Sequence, residues 1–457
     1  MRYRHILAAC VCVTLATAWH SKATDDIAEL PPMGELSRAI GPMVETMLNG
    51  GVAVGLAIED VSGAGMYSHR ADEPFVLASN TKLFTTAAAA VSLPPDYRWR
   101  TEARWEDGSL WIIGHGDATF HIIDGYSYPD HFLDQVAEAL EARRIDAVDQ
   151  LVIDARYFDA AYQHPDWPRN QLRRRYSAPV SGLPYARGLV RIRRGRSSVY
   201  STTGDPIATV TNFLVRGLRK RGVKVERARR AGIREVQPPE FTSICRHECP
   251  WPLEKVLRET NAESDNYLAE HLFKTLGAEF HGRGSFDGAA EAVRVALDAA
   301  GASLDGFTQL DGSGLARAEN GGNRASAATV TSLLRAMSKH PRGGPFLRSL
   351  AISGRRGTLA HRLDKGPMTG AIHAKTGWIR GSLALSGYMR RDEDRVVVFS
   401  ILVNYNAPHT YDRRQVVLSF QEELLRAVWD HLDAVDTGWE PPPPALVQAL
   451  EPGRPAN

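Results

Sequence analysis

With 457 residues the chain has room for two or three domains. Its 43% hydrophobic and 24% charged residues exclude a disordered or fibrous chain and fit a globular one. A net charge of +2 gives no overall polyanion-binding signal, but the charge is uneven: residues 169–234 carry eighteen Lys or Arg against two acids, Asp205 and Glu226. The rest of the chain is therefore net acidic.

Residues 1–18 read as a secretory signal peptide. Arg2 and Arg4 supply charge, and Ile6 to Ala18 supply an apolar stretch too short to span a membrane. Ala16-Thr17-Ala18 is a small-x-small cleavage site. Leu7-Ala8-Ala9-Cys10 mimics a lipoprotein box, but the apolar run before Cys10 is too short for lipidation to be favoured. No later stretch could span a bilayer, so the chain is expected to be periplasmic or secreted, with at most peripheral membrane contact. Cleavage after Ala18 would remove Cys10 and Cys12. Cys245 and Cys249 remain, either as a small-loop disulfide in an oxidising compartment or as two free thiols. His247 and Glu248 are the other nearby ligand types, too few to favour zinc.

Residues 24–50 carry helical apolar spacing (Leu36, Ile40, Met43, Val44, Met47, Leu48), closed by Gly50-Gly51. Val52 to Glu59 reads as a strand and Met66 to His69 as a second, across the turn Gly63-Ala64-Gly65. An alanine-rich helix follows Ser79 and ends before Pro94. Past Pro94-Pro95 the character changes. Strands at Arg98 to Trp105 and Leu110 to Ile113, a helix from Phe132 to Ala142 and a buried strand from Gln150 to Asp154 read as a small α/β unit.

The basic segment comes next, dominated by Arg173-Arg174-Arg175, Arg191, Arg193, Arg194 and Arg196, with a helix from Thr209 to Arg221. It reads as a solvated cationic face or as a contact for anionic envelope polymers. Nucleic acid is disfavoured, because no motif for it is present. From Pro238 the pattern is expected to rejoin the first unit. Helices are expected at Leu253 to Thr260, from Ser264-Asp265-Asn266 to a stop at Gly277, at Gly288 to Ala299 and at Ala327 to Met337. Three strands follow, Ala371 to Ile379, Ser382 to Arg390 and Arg395 to Asn404, whose short joins predict an antiparallel sheet. The expected domains are one discontinuous unit (residues 24–93 and 238–434), an insert (94–237) and a Pro-rich tail (435–457) that does not pack.

In Leu77-Ala78-Ser79-Asn80-Thr81-Lys82 the serine stands at a helix start and Lys82 lies one turn on, on the same face. A serine hydroxyl is a poor nucleophile until a base takes its proton. Lysine, with an ordinary pKa of about 10.4, is a poor base. Burial among Phe75, Leu77 and Phe84 would disfavour the ammonium and lower that value. The free amides of the first helical turn would help hold developing negative charge. Alone, the motif reads more readily as a capping serine and a solvated lysine. Two further tripeptides stand behind it in order: Ser264-Asp265-Asn266 at a loop-to-helix joint, and Lys375-Thr376-Gly377 on a strand. Singly, Asn266 is a helix cap, Lys375 an exposed strand lysine and Thr376 strand filler. All three in order and in context outweigh those readings.

The trio is similar to that of penicillin-binding proteins and related β-lactamases. The chain resembles the class C low-molecular-mass penicillin-binding proteins, the D-alanyl-D-alanine carboxypeptidase/endopeptidase family, from about Gly51 to Asn404. Gly114-x-Gly116-Asp117, Val152-Ile153-Asp154 through Phe158, Trp167-Pro168, Tyr176-Ser177-Ala178-Pro179, Leu310-Asp311-Gly312-Ser313-Gly314-Leu315 and Gly357-Thr358-Leu359 are similar to family motifs. The resemblance implies an α/β (α+β) chain with the penicillin-binding/β-lactamase-like transpeptidase fold, an antiparallel sheet flanked by helices, and a smaller inserted α/β domain. It implies a serine-type D-Ala-D-Ala carboxypeptidase, with endopeptidase action in prospect, acting on peptidoglycan stem peptides, acylated by β-lactams and needing no cofactor or metal.

By that resemblance Ser79 attacks and Lys82 takes its proton. Ser264 relays the proton to the leaving amine, and Asn266 donates to the substrate carbonyl and accepts from its amide. Lys375, charged, and Thr376 meet the terminal carboxylate, while the strand pairs with the peptide and Gly377 leaves the approach open. The amides of Ser79 and Trp378 form the oxyanion hole. Three departures stand out. The insert is short for the family's two extra domains. Arg169-Asn170-Gln171 has no acid where some relatives place an aspartate for the diamino acid's amine, which bears on endopeptidase action. Trp378 replaces a smaller residue and narrows the cleft. Two other readings are a β-lactamase-like hydrolase, for which no deacylating acid is evident, and a non-catalytic cell-wall-binding protein using the basic insert.

Overall fold

The computed structural model describes residues 33–194, 197–232, 235, 242–317, 322–406, 411–434 and 441–451. The expected signal peptide, with Cys10 and Cys12, lies outside them.

Six antiparallel strands form the larger sheet, in the order Ala351–Ile352, Ile372–Ile379, Ser382–Arg390, Val396–Tyr405, Val52–Asp60, Gly65–His69. The C-terminal strands pair through short joins, as their spacing predicts. The chain's first strand closes the sheet from far away, with Leu56 opposite Ile401. Both faces are covered. Val397, Phe399, Ile401 and Val403 meet Leu36, Ile40 and Val44 of helix Met33–Asn49 and Leu424, Leu425 and Val428 of helix Tyr411–Ala434. Their neighbours Val396, Val398 and Leu402 lie in the other core, with Val330, Leu333 and Leu334 of helix Ala327–Lys339 and Leu83, Phe84 and Ala87 of helix Thr81–Ser92. Period-two side chains on a sheet buried on both sides thus yield a continuous apolar run.

A second sheet has the order Lys224–Arg230, Ala147–Asp154, Ser109–Gly114, Arg100–Glu106, Thr242–Glu248. Its first three strands are parallel and its last three antiparallel. Helices Tyr128–Glu141 and Pro206–Lys220 cover one face through Phe132, Leu133, Val136, Val210, Leu214 and Leu218. Asp205 caps the second helix by accepting from the Ala208 amide at 2.9 Å.

Three expectations are corrected, and the open choice at Cys245 and Cys249 falls to free thiols. The chain does not leave the second sheet at Pro238, because Thr242–Glu248 pairs with Arg100–Glu106. That strand has weak apolar alternation and is held by its ladder. Cys245 and Cys249 are both free. Four residues along extended chain, at about 3.3 Å each, separate them beyond disulfide reach. The described part of the tail packs: Pro444–Ala449 is a helix whose Leu446 and Ala449, with the following Leu450, are buried in the first core. Proline suits a first helical turn, so Pro444 opens this helix. Finally, Gly277 lies inside helix Asn266–His281, which ends at Gly282. Gly277 instead admits helix Phe286–Ala299, where a Cβ would stand 2.7 Å from the Ala289 nitrogen.

Candidate active site

Strand Phe75–Val76 runs into a tight turn, Ala78–Asn80, and then into helix Thr81–Ser92. Ala78 takes a φ of 48°, a costly conformation for a residue with a Cβ. Packing holds it there. A Cβ at Gly377 would lie 2.8 Å from the Leu77 oxygen, and one at Gly314 only 1.9 Å from the Ala78 oxygen. The glycine of Lys375-Thr376-Gly377 therefore serves the approach of the serine turn to the strand. Asn80 adds a tie to the sheet, donating to Ser386 Oγ at 2.7 Å.

Lys82 is fully buried. Its Nζ stands 3.0 Å from Ser79 Oγ, 2.7 Å from Asn266 Oδ1 and 2.9 Å from the Ser313 carbonyl. Burial lowers its pKa to about 8, against the pull of Glu270, Asp311 and Asp265. The capping-serine reading fails, because neither the turn nor the helix has a side-chain cap at its start. Helix Asn266–His281 is capped by Asp265, which accepts from the Leu268 amide at 3.0 Å. Asn266 is thereby free for the cleft. Its Oδ1 faces Lys82 and its Nδ2 donates to the Tyr176 carbonyl at 2.9 Å.

Lys375 is also fully buried. Its Nζ donates to Ser264 Oγ at 2.9 Å and to the Thr376 carbonyl at 2.8 Å. Burial first, then the Lys82 cation, push its pKa well down. Thr376 bonds Thr358 Oγ1 at 2.8 Å, which brings Gly357-Thr358-Leu359 to the same edge.

Two buried acids support this set: Asp311, within the Leu310 to Leu315 motif, and Glu270, which sequence reasoning did not single out. Glu270 sits one turn beyond Asn266 and accepts from the Gly312 and Ser313 amides, both at 2.9 Å. Burial and Asp311 raise its pKa to about 8. Asp311 accepts from the Gly314 and Ala316 amides at 2.7 and 2.6 Å and from the Trp167 indole at 2.8 Å. The two acids thus shape the turn whose Ser313 carbonyl holds Lys82. An acid at i+4 from Asn266, among Leu268, Leu272 and Phe273, was the available signal for Glu270.

These groups open on a cleft of about 390 Å³ lined by Ser79, Ser264, Asn266, Ser313, Arg317 and Trp378, among others. Gln171 and Tyr176 reach it from the basic segment. Trp378 is 53% exposed, and the Arg414 guanidinium stacks 4.5 Å from its ring. Cys245 and Cys249 lie apart from the cleft residues, on and beside the second sheet. Among the described residues no group of three His, Cys, Asp or Glu could hold a metal ion.

The model of the D-Ala-D-Ala carboxypeptidase 3 (S13) family matches residues 44–203 and 194–424. The D-alanyl-D-alanine carboxypeptidase of Actinomadura sp. (strain R39) is 28% identical over 449 residues, covering 81% of each chain. Carboxypeptidase DacB of Mycolicibacterium smegmatis is 26% identical over 442 residues, covering 88% of this chain and 91% of its own. In fold, penicillin binding protein 4 of Haemophilus influenzae superimposes with a TM-score of 0.73 at 18% identity, over 88% of this chain and all of that one. With a family model spanning both the peptidase sheet and the insert, and the fold matched over nearly the whole described chain, this chain belongs to the D-Ala-D-Ala carboxypeptidase 3 (S13) family.

Proposed function

We propose that the chain removes terminal D-alanine from peptidoglycan stem peptides through a Ser79 acyl-enzyme, outside the cytoplasm. The observation that carries this is the buried Lys82 amine 3.0 Å from Ser79 Oγ. Desolvation makes that amine a usable base, and the neutral form accepts the serine proton as Oγ attacks the carbonyl. The amides of Ser79 and Trp378 would take the developing oxyanion. Ser264, bonded to Lys375, would pass the proton to the leaving amine.

The two buried lysines supply a coupling. Both cannot be charged cheaply in one dry cleft. A substrate carboxylate beside Lys375 and Thr376 favours the Lys375 ammonium, which in turn disfavours a charge on Lys82. Binding the correct terminus would thus help to free the base. Asn266 Oδ1 is occupied by Lys82, so its part toward substrate reduces to donation from Nδ2, in exchange for Tyr176. Among the described residues that line the cleft with Gln171 there is no Asp or Glu, and this supports carboxypeptidase over endopeptidase action. The same cleft would take β-lactams as covalent inhibitors. We assign residues 94–249 to an inserted domain, whose basic segment meets an anionic component of the envelope. Export rests on the N-terminal signal; among the described residues no helix is long and apolar enough to cross a membrane.

The test is incubation of the mature protein with a penicillin and with a pentapeptide ending in D-Ala-D-Ala, followed by mass spectrometry. A long-lived penicilloyl adduct on Ser79 and release of one D-alanine are expected. Quick turnover of the penicillin with no peptide cleavage would favour the β-lactamase-like reading. No adduct at all would leave a non-catalytic wall-binding protein.

A further inference from the structure

We infer that the arginine-bearing hairpin beside the cleft docks on the headgroups of an anionic lipid bilayer, which names the envelope component that the basic segment meets. Strands Leu189–Arg194 and Ser197–Thr202 pair with each other and with no other strand among the described residues. Such a lone hairpin is marginal in water. Residues 191–193 and 197–200 are all exposed. The register sets Ile192 opposite Val199 on one face, and Arg191 opposite Tyr200 and Arg193 opposite Ser198 on the other. Ile192 is 40%, Val199 38% and Tyr200 64% exposed.

The root of the hairpin is fixed to the catalytic region. Thr202 Oγ1 donates to the Leu172 carbonyl at 2.9 Å, next to the exposed Arg173-Arg174-Arg175 and to Tyr176 at the cleft. Arg187, just before the hairpin, pairs with Asp265 at 2.5 Å. Some cations of the segment have local acids: Arg221 has Asp134, Lys224 has Glu226, and Arg229 has Glu235. Arg173, Arg174, Arg175, Arg191 and Arg193 form no ion pair with any described residue. Arg169, Arg216, Arg219, Lys220 and Arg227 also form no ion pair with a described residue. What sets Arg191 and Arg193 apart is that they share one small ribbon with the exposed Ile192, Val199 and Tyr200.

That coincidence selects the partner. A hydrated polyanion could neutralise the arginines, but it would leave Ile192, Val199 and Tyr200 in water. A bilayer interface receives both, with headgroups for the arginines and the acyl boundary for the apolar groups. Tyrosine at that depth is typical of membrane interfaces. Docking there would hold the cleft mouth, through Tyr176, close to the membrane.

The test is co-sedimentation of the mature protein with vesicles of phosphatidylcholine, with and without about one-third phosphatidylglycerol. Binding to the anionic vesicles alone, weakened by salt, is expected. Arg191→Gln with Arg193→Gln should lower partitioning about 30-fold. Ile192→Ser with Val199→Ser should lower it at least several-fold, and penicillin acylation should be unchanged in both variants. The inference is overturned if a protein that still acylates ignores anionic vesicles. It is also overturned if Ile192→Ser with Val199→Ser binds the vesicles as well as the parent does, since a purely electrostatic contact with polyanions then suffices. Loss of acylation with vesicle binding intact would instead strike the peptidase reading alone.

Discussion

The cleft and the hairpin both gather cations, and they use them in opposite ways. Lys82 and Lys375 lie fully buried, with their nitrogens held by Ser79, Asn266, Ser313, Ser264 and Thr376. Arg191 and Arg193 stand in water on a two-stranded ribbon. Removing water makes a lysine's charge expensive and turns it into a base. An arginine in water keeps its charge and can only attract. The lesson is that sequence charge says little until burial is known: two lysines stand in a dry cleft, while Arg173, Arg174, Arg175, Arg191 and Arg193 stand in water.

That contrast can be attacked at several depths. The heaviest blow falls on the base itself. Lys82→Ala should slow penicillin acylation by about a thousandfold while circular dichroism stays native. In the parent enzyme the acylation rate should climb with pH through about 8, as the Lys82 ammonium gives up its proton. Gly377→Ala tests the packing behind that chemistry. Its Cβ would meet the Leu77 oxygen at 2.8 Å and displace Ser79, costing about a hundredfold in acylation with little loss of fold. Glu270→Gln is milder. It removes the first of the charges that raise the Lys82 pKa and turns an NH2 toward the Gly312 or Ser313 N–H, so the pH limb should move down and the rate fall by about tenfold.

Stability offers a further test, through histidines rather than lysines. Burial pushes His271 and His373 down to about 3. Unfolding exposes both to water, where the ordinary value is about 6.5. Below that pH the unfolded chain takes up protons that the native chain refuses. Stability should therefore fall as pH drops from about 6.5 toward 3, by at most about 1.4 kcal/mol per pH unit for each ring. Urea titrations at pH 7 and pH 5 would show it, and equal midpoints would contradict it. At the exposed end, Arg229→Ala removes a solvated pair with Glu235 and should shift stability by no more than about 0.5 kcal/mol.

Much of this molecule was legible without coordinates. Ser382 to Arg390 was predicted with the bounds it has, because glycine and charge punctuate a clean apolar run. The helix behind Ser79 was legible from its alanines, and Ser79-x-x-Lys82, Ser264-Asp265-Asn266 and Lys375-Thr376-Gly377 were legible as candidates from their order. Other features were not. Thr242–Glu248 has no strong alternation and becomes a strand only by pairing with Arg100–Glu106. The Pro-rich end looked unable to pack until Leu446 and Leu450 met the core. Glu270 looked like an ordinary helix acid, and only enclosure by Gly312 and Ser313 makes it part of the cleft.

By itself, then, the order of residues determined which chemical groups the chain owns and which local segments curl or extend, because those depend on neighbours a few positions away. Tertiary structure alone decided which lysines lose water, which glycines are squeezed between backbones and which arginines are left unpaired. Those outcomes depend on the distance between segments hundreds of residues apart, and on how much solvent survives between them.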